Sequence, residues 1–63
     1  QGNVGIGTPV PGYKLDIDGA LRLRPTGAPP NPVNGVIYYD SAINKFRFYQ
    51  NGVWVNFAEE SPN

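Results

Sequence analysis

The stretch Val36-Ile37-Tyr38-Tyr39-Asp40-Ser41-Ala42-Ile43-Asn44-Lys45-Phe46-Arg47-Phe48-Tyr49-Gln50-Asn51-Gly52-Val53-Trp54-Val55-Asn56-Phe57 decides the fold. It holds three short runs rich in aromatic and β-branched residues, 36–39, 45–49 and 53–57, each bounded by turn-forming residues. Asn51-Gly52 sets a two-residue type I′ turn, because both central positions need positive φ. That turn pairs Phe48 with Val55 and Phe46 with Phe57 on one face, and Tyr49 with Trp54 and Arg47 with Asn56 on the other. Closing Asp40 onto Lys45 around residues 41–44 adds Ile37 and Tyr39 to the first face and Tyr38 to the second. The spacing predicts a three-stranded antiparallel meander whose core face is Ile37, Tyr39, Phe46, Phe48, Val53, Val55 and Phe57.

Working toward the N-terminus, Pro25-Thr26-Gly27-Ala28-Pro29-Pro30-Asn31-Pro32 has no periodicity and several residues that cannot donate to a ladder. It reads as an extended, polyproline-like linker. Before it lies Tyr13-Lys14-Leu15-Asp16-Ile17-Asp18-Gly19-Ala20-Leu21-Arg22-Leu23-Arg24. A hairpin at Asp18-Gly19 would set Leu15 opposite Arg22 and Asp16 opposite Leu21, mixing apolar and charged groups on both faces. Read as one strand, the run places Tyr13, Leu15, Ile17, Leu21 and Leu23 together and Lys14, Asp16, Asp18, Arg22 and Arg24 opposite. At ~3.3 Å per residue such a strand exceeds about 35 Å, more than the rest of the chain can cover. Its apolar face is expected to meet copies of itself. The organisation is then residues 1–24 with the long strand, a linker over 25–32, the meander over 33–58 and a tail over 59–63.

Composition narrows the chemistry. The chain has 63 residues, with eight Gly and seven Pro approaching a quarter of it, yet 13% of residues are aromatic. That describes a folded, turn-rich all-β sequence. A domain this small buries only about 60% of its unfolded surface and usually needs disulfides, metal or association. With no Cys and no His, association is the expected support. Five basic and five acidic side chains cancel, and the Lys and Arg are dispersed, so nucleic-acid binding is not expected. No apolar run approaches a membrane span, and no membrane insertion is expected. The first residue is Gln1, as expected of a piece of a longer or processed protein.

Without His or Cys, zinc sites, nucleophilic triads and imidazole acid–base chemistry drop out. Asp16 and Asp18 share a strand face, and Asp16-Ile17-Asp18-Gly19 resembles the opening of a calcium loop, but Gly27 stands where its closing Glu belongs. They read as a solvated face beside Arg22 and Arg24. Gly5-Ile6-Gly7 lacks the third glycine of a phosphate loop and reads as a close-packed turn. No catalytic residue, metal or cofactor is expected. The face carrying Tyr38, Arg47, Tyr49 and Trp54 is the one surface with recognition chemistry, suited to stacking on sugars or on a neighbouring subunit.

Two segments carry a resemblance. Asn3-Val4-Gly5-Ile6-Gly7-Thr8, Pro11, Tyr13-Lys14-Leu15-Asp16-Ile17 and Gly19 are similar to an "NVGIGT…P…KLDV.G" repeat. Pro29 to Asp40, followed by Asn44-Lys45-Phe46-Arg47 and Asn51-Gly52-Val53-Trp54, is similar to a "G.IYYD…NKFR.Y.NG.W" module. In both the chain resembles the trimeric fibre proteins of phage tails and related bacterial surface and contractile-injection fibres. It departs from them at Thr8-Pro9-Val10-Pro11 and in lacking the self-cleaving chaperone domain that often follows the repeat, so autoproteolysis is not expected. The resemblance implies an intertwined homotrimeric β-fibre segment of a virion tail fibre or of an extracellular, cell-surface fibre. Its trimer interface would hold Tyr13, Leu15, Ile17, Leu21 and Leu23, and its role would be structural, supporting or presenting receptor attachment. The alternative is a carbohydrate-binding adhesin module using Tyr38, Arg47, Tyr49 and Trp54 on a cell-surface glycan.

Overall fold

A computed structural model describes residues 2–57; Ala58 and the tail over 59–63 lie outside the described residues. The described chain is all-β. Its strands are β1 (Val4–Ile6), β2 (Leu15–Ile17), β3 (Ile37–Asp40), β4 (Lys45–Gln50) and β5 (Val53–Asn56). They form two sheets, a parallel β1-β2 pair and an antiparallel β3-β4-β5 meander.

The meander has the register its turns dictate: Ile37 pairs with Phe48, Tyr39 with Phe46, Phe48 with Val55 and Tyr49 with Trp54. Asn51 and Gly52 both take positive φ, 51° and 80°, as a type I′ turn requires. At the other turn Asp40 Oδ1 accepts from the amides of Ala42 and Ile43 at 2.8 and 3.2 Å, and Asn44 at φ 58° closes the loop back to the Asp40 carbonyl. Asp and Asn suit these places because a short polar side chain can satisfy local amides while the backbone turns.

The N-terminal sheet departs from the expected single long strand. Val4 pairs with Leu15 and Ile6 with Ile17 in parallel, flanked by bonds from the Val4 amide to the Lys14 carbonyl and from the Asp18 amide to the Ile6 carbonyl. Gly5-Ile6, expected within a turn, belongs to β1, and the turn starts at Gly7 (φ 81°). The close packing holds: a Cβ on Gly5 would overlap the Thr8 carbonyl, and one on Gly7 would come within 2.9 Å of the Asp18 carbonyl. The ladder ends at Ile17 because β1 supplies only three residues of partner, and Gly19 at φ 146° then redirects the chain in a conformation closed to other residues. Leu21 and Leu23 keep the alternating pattern but lie outside any strand.

The Pro-rich segment over 25–32 is pinned to the meander. Thr26, between Pro25 and Gly27, donates its amide to the Tyr39 carbonyl and accepts from the Ser41 amide, each at 2.9 Å, forming a parallel bridge beside Asp40. Asn31 at φ 52° breaks the polyproline geometry.

Burial inverts the expected core. The buried residues are Tyr38 and Asp40, each 6% exposed, on the face opposite the expected one. Ile37, Phe46, Val53 and Phe57 each keep more than a third of their surface in solvent, and no described side chain is fully buried. A lone three-stranded sheet has no second layer, so the aromatic and charged face closes over itself while the purely apolar face stays open.

Candidate functional site

Two surfaces follow from this architecture, one on each face of the meander. On the Tyr38 face, alternation along β3, β4 and β5 brings Tyr38, Asp40, Arg47, Tyr49, Trp54 and Asn56 together. Trp54 stands at the centre, its ring edge-on to Tyr38 at 4.9 Å and to Tyr49 at 5.0 Å. The Arg47 guanidinium carbon lies 5.4 Å from the indole centroid, its Nε donates to Asn56 Oδ1 at 2.9 Å, and an Nη sits 3.6 Å from Asp40 Oδ2. The Tyr38 hydroxyl donates to that same Asp40 oxygen at 2.6 Å, and the Tyr49 hydroxyl donates to the Gly52 carbonyl at 2.9 Å.

Asp40 is the hub of this face. The Tyr38 hydroxyl, above all, holds its carboxyl below the ordinary range, with the Ala42 and Ile43 amides and Arg47 assisting against desolvation. Burial, reinforced by the Asp40 bond, pushes the Tyr38 phenol up. The Tyr38 and Tyr49 hydroxyls, both Asp40 oxygens and the Arg47 Nε are thus each engaged by a neighbour. Tyr38, expected on an open ligand face, is buried and offers no stacking surface; Tyr49 and Trp54 are half-buried, and Arg47 is held from three sides.

The opposite face is built from apolar rings, with Arg22 beside its Tyr39–Phe46 end. Tyr39 meets Phe46 edge-on at 4.9 Å, Phe57 lies 5.7 Å from Phe46 and 5.1 Å from Phe48, and the Phe57 amide bonds the Phe46 carbonyl at 3.1 Å. An open groove of about 720 Å³ runs along Ile37, Phe48 and Phe57 to Asn34, Gln50 and Asn51.

The five residues expected at a trimer interface fall in three places. Leu15 and Ile17 share a face with Val4 and Ile6, since side chains opposite one another in a parallel pair point the same way. Tyr13 stands in the preceding loop, 78% exposed. Leu21 and Leu23 lie past the Gly19 bend, lining with Arg22, Pro25, Tyr39, Asn44 and Phe46 a second groove of about 340 Å³. Val4 and Ile6 carry no readable signal in the sequence, because Val4-Gly5-Ile6, between Asn3 and Gly7, is too short to show a period. Asp40 was missed as a hub, although an Asp opening a four-residue turn next to an alternating Tyr is the available signal.

Asp16, considered for a metal, instead accepts the Gly12 amide at 2.8 Å and pins the loop before β2. Among the described residues no group of three or more His, Cys, Asp or Glu side chains could hold a metal ion. Comparison of the chain with protein-family models, curated proteins and solved structures returns no match.

Proposed function

We propose that the chain is a structural segment of a homotrimeric extracellular fibre, of phage-tail or contractile-injection type, that supports or presents attachment to a host surface. One observation carries the reading: both sheets expose an apolar face, Val4, Ile6 and Leu15 on one and Ile37, Phe46, Val53 and Phe57 on the other, while the described residues bury one apolar side chain, Tyr38. A chain so poor in interior gains too little from folding alone to offset its ordering entropy. A second and third copy supply the missing layer. Zero net charge and largely apolar faces favour the meeting of identical copies. The motif resemblance gives the number three and the fibre setting. In this reading the chain acts by holding and presenting, not by catalysis, and needs no cofactor.

Light scattering of the purified chain is expected to give three times the monomer mass. Ile17→Asp, which would set carboxylates against apolar neighbours, should lower that mass. A folded monomer in the wild type would overturn the reading. The carbohydrate-binding alternative is narrowed to the Tyr49 and Trp54 rings, because Tyr38 is enclosed and Arg47 is engaged.

A further inference from the structure

The chain contains two Asn-Gly steps, Asn34-Gly35 and Asn51-Gly52, and the fold sets one against the other. The Gly52 amide donates to Asn34 Oδ1 at 2.9 Å, whereas the Gly35 amide donates to the Tyr49 carbonyl of β4 at 2.8 Å, a backbone-to-backbone bond just before β3. From this juxtaposition we propose that Asn51 is a site of spontaneous deamidation and that the Asn34 side chain governs its rate by holding the nitrogen that must attack. The proposal is independent of the fibre reading.

The chemistry needs only water. The Gly52 nitrogen, once deprotonated, forms a bond to Asn51 Cγ; the Cγ–Nδ2 bond then breaks, and ammonia leaves with a proton from the medium. The resulting five-membered imide opens when water adds to one of its two carbonyls. Addition at Cγ breaks the new bond and yields aspartate at position 51, and addition at the backbone carbonyl breaks the original peptide bond and yields isoaspartate. Glycine permits this closure because no Cβ shields the nitrogen. At Gly52 the space a Cβ would take is open to 4 Å, and Asn51 itself is exposed.

What restrains the reaction is the N–H bond to Asn34. While Asn34 Oδ1 accepts that proton, the nitrogen is kept protonated and its peptide plane is fixed. The bond is exposed and made by a side chain, so it opens more readily than the backbone-to-backbone bond that holds the Gly35 amide on β4. Asn51 should therefore react ahead of Asn34. Either product places a carboxylate in the turn, and isoaspartate also adds a main-chain methylene to the two residues that set Gln50 opposite Val53. That loosens the β4-β5 register.

The test follows the intact chain at neutral pH by peptide mass mapping that resolves aspartate from isoaspartate at position 51. Asn34→Ala removes the acceptor and should speed conversion by roughly two- to tenfold, the range one exposed hydrogen bond supports. Asn34→Asp keeps an acceptor oxygen and should stay near the wild-type rate. Tyr49→Phe removes the hydroxyl bond to the Gly52 carbonyl without freeing the Gly52 amide, and should also stay near it. An unchanged rate in Asn34→Ala, an Asn34→Asp rate matching that of a faster Asn34→Ala, an equal gain in Tyr49→Phe, or Asn34 reacting first in the wild type would each overturn the proposal.

Discussion

Replacing Trp54 with Ala tests what the aromatic face is for. The indole makes two edge-on ring contacts, with Tyr38 at 4.9 Å and Tyr49 at 5.0 Å, and lies under Arg47 at 5.4 Å. Ring pairs of this kind contribute about 0.5–1.5 kcal/mol each beyond their area. A cation over a partly exposed indole adds about 0.5–1 kcal/mol. Truncation also uncovers Tyr38, the buried apolar residue of this face. The total is about 2–4 kcal/mol, at the lower end of the ~3–5 kcal/mol typical of Trp→Ala because Trp54 is only half-buried. For a domain of this size that corresponds to a melting drop of about 10–25 °C. Thermal unfolding followed by near-UV circular dichroism, at one fixed protein concentration because an assembled chain melts in a concentration-dependent way, gives the readout. Trp54→Phe, which keeps a ring between Tyr38 and Tyr49, should lose less than half as much. If Trp54→Ala melted within about 3 °C of the wild type yet lost glycan-array binding, the face would be a recognition surface and the structural account of it would be wrong.

Gly52→Val should cost about 1 kcal/mol or more, because a β-branched residue is strained at φ 80° and the register of Phe46 and Phe48 against β5 depends on that turn; an unchanged melting temperature would contradict this. The lowered Asp40 carboxyl lends stability that is present above about pH 4 and lost as acid takes the pH down through its depressed value. The raised Tyr38 phenol lends stability that is full below about pH 10 and lost as the pH climbs through its elevated value. With no His in the chain, melting should be flat between about pH 5 and 9, and Asp40→Asn should remove much of the acid limb; a sharp optimum near neutrality would contradict the assignment.

The meander was legible because all its signals are local. Asn51-Gly52 admits one turn type, and clean separation of Phe46 and Phe48 from Arg47 and Tyr49 admits one register. The β1-β2 pair was not legible, since its strands are three residues long, the partners are as far apart in sequence as Val4 and Leu15, and its pairing is parallel, which no turn residue announces. The expected continuation past Gly19 failed for a related reason: alternation says which side chains would share a face if a strand formed, but a strand needs a ladder, and β1 ends at Ile6. The inverted burial has the same root. Pattern assigns residues to faces, whereas burial depends on what lies above each face.

That inversion bears on how copies of the chain could fit together. The Tyr38 face satisfies itself within one chain: Asp40 takes the Tyr38 hydroxyl, two turn amides and Arg47, and Arg47 in turn takes Asn56 and Trp54. Turned inward in an assembly, it would desolvate the Arg47–Asp40 ion pair, which already has its partners within the chain. The Ile37–Phe46–Phe48–Phe57 face has the opposite character, with rings packed on one another and Arg22 only at its Tyr39–Phe46 end. Under the proposed threefold arrangement the lower-energy packing therefore turns the phenylalanines toward the axis and Trp54 with Arg47 toward solvent. A largely apolar face of this kind specifies register poorly, so under the same proposal the copies would be aligned by features with shape. The turn after β1, folded back so closely that a methyl added at Gly5 would overlap the Thr8 carbonyl, is one such feature of the N-terminal sheet.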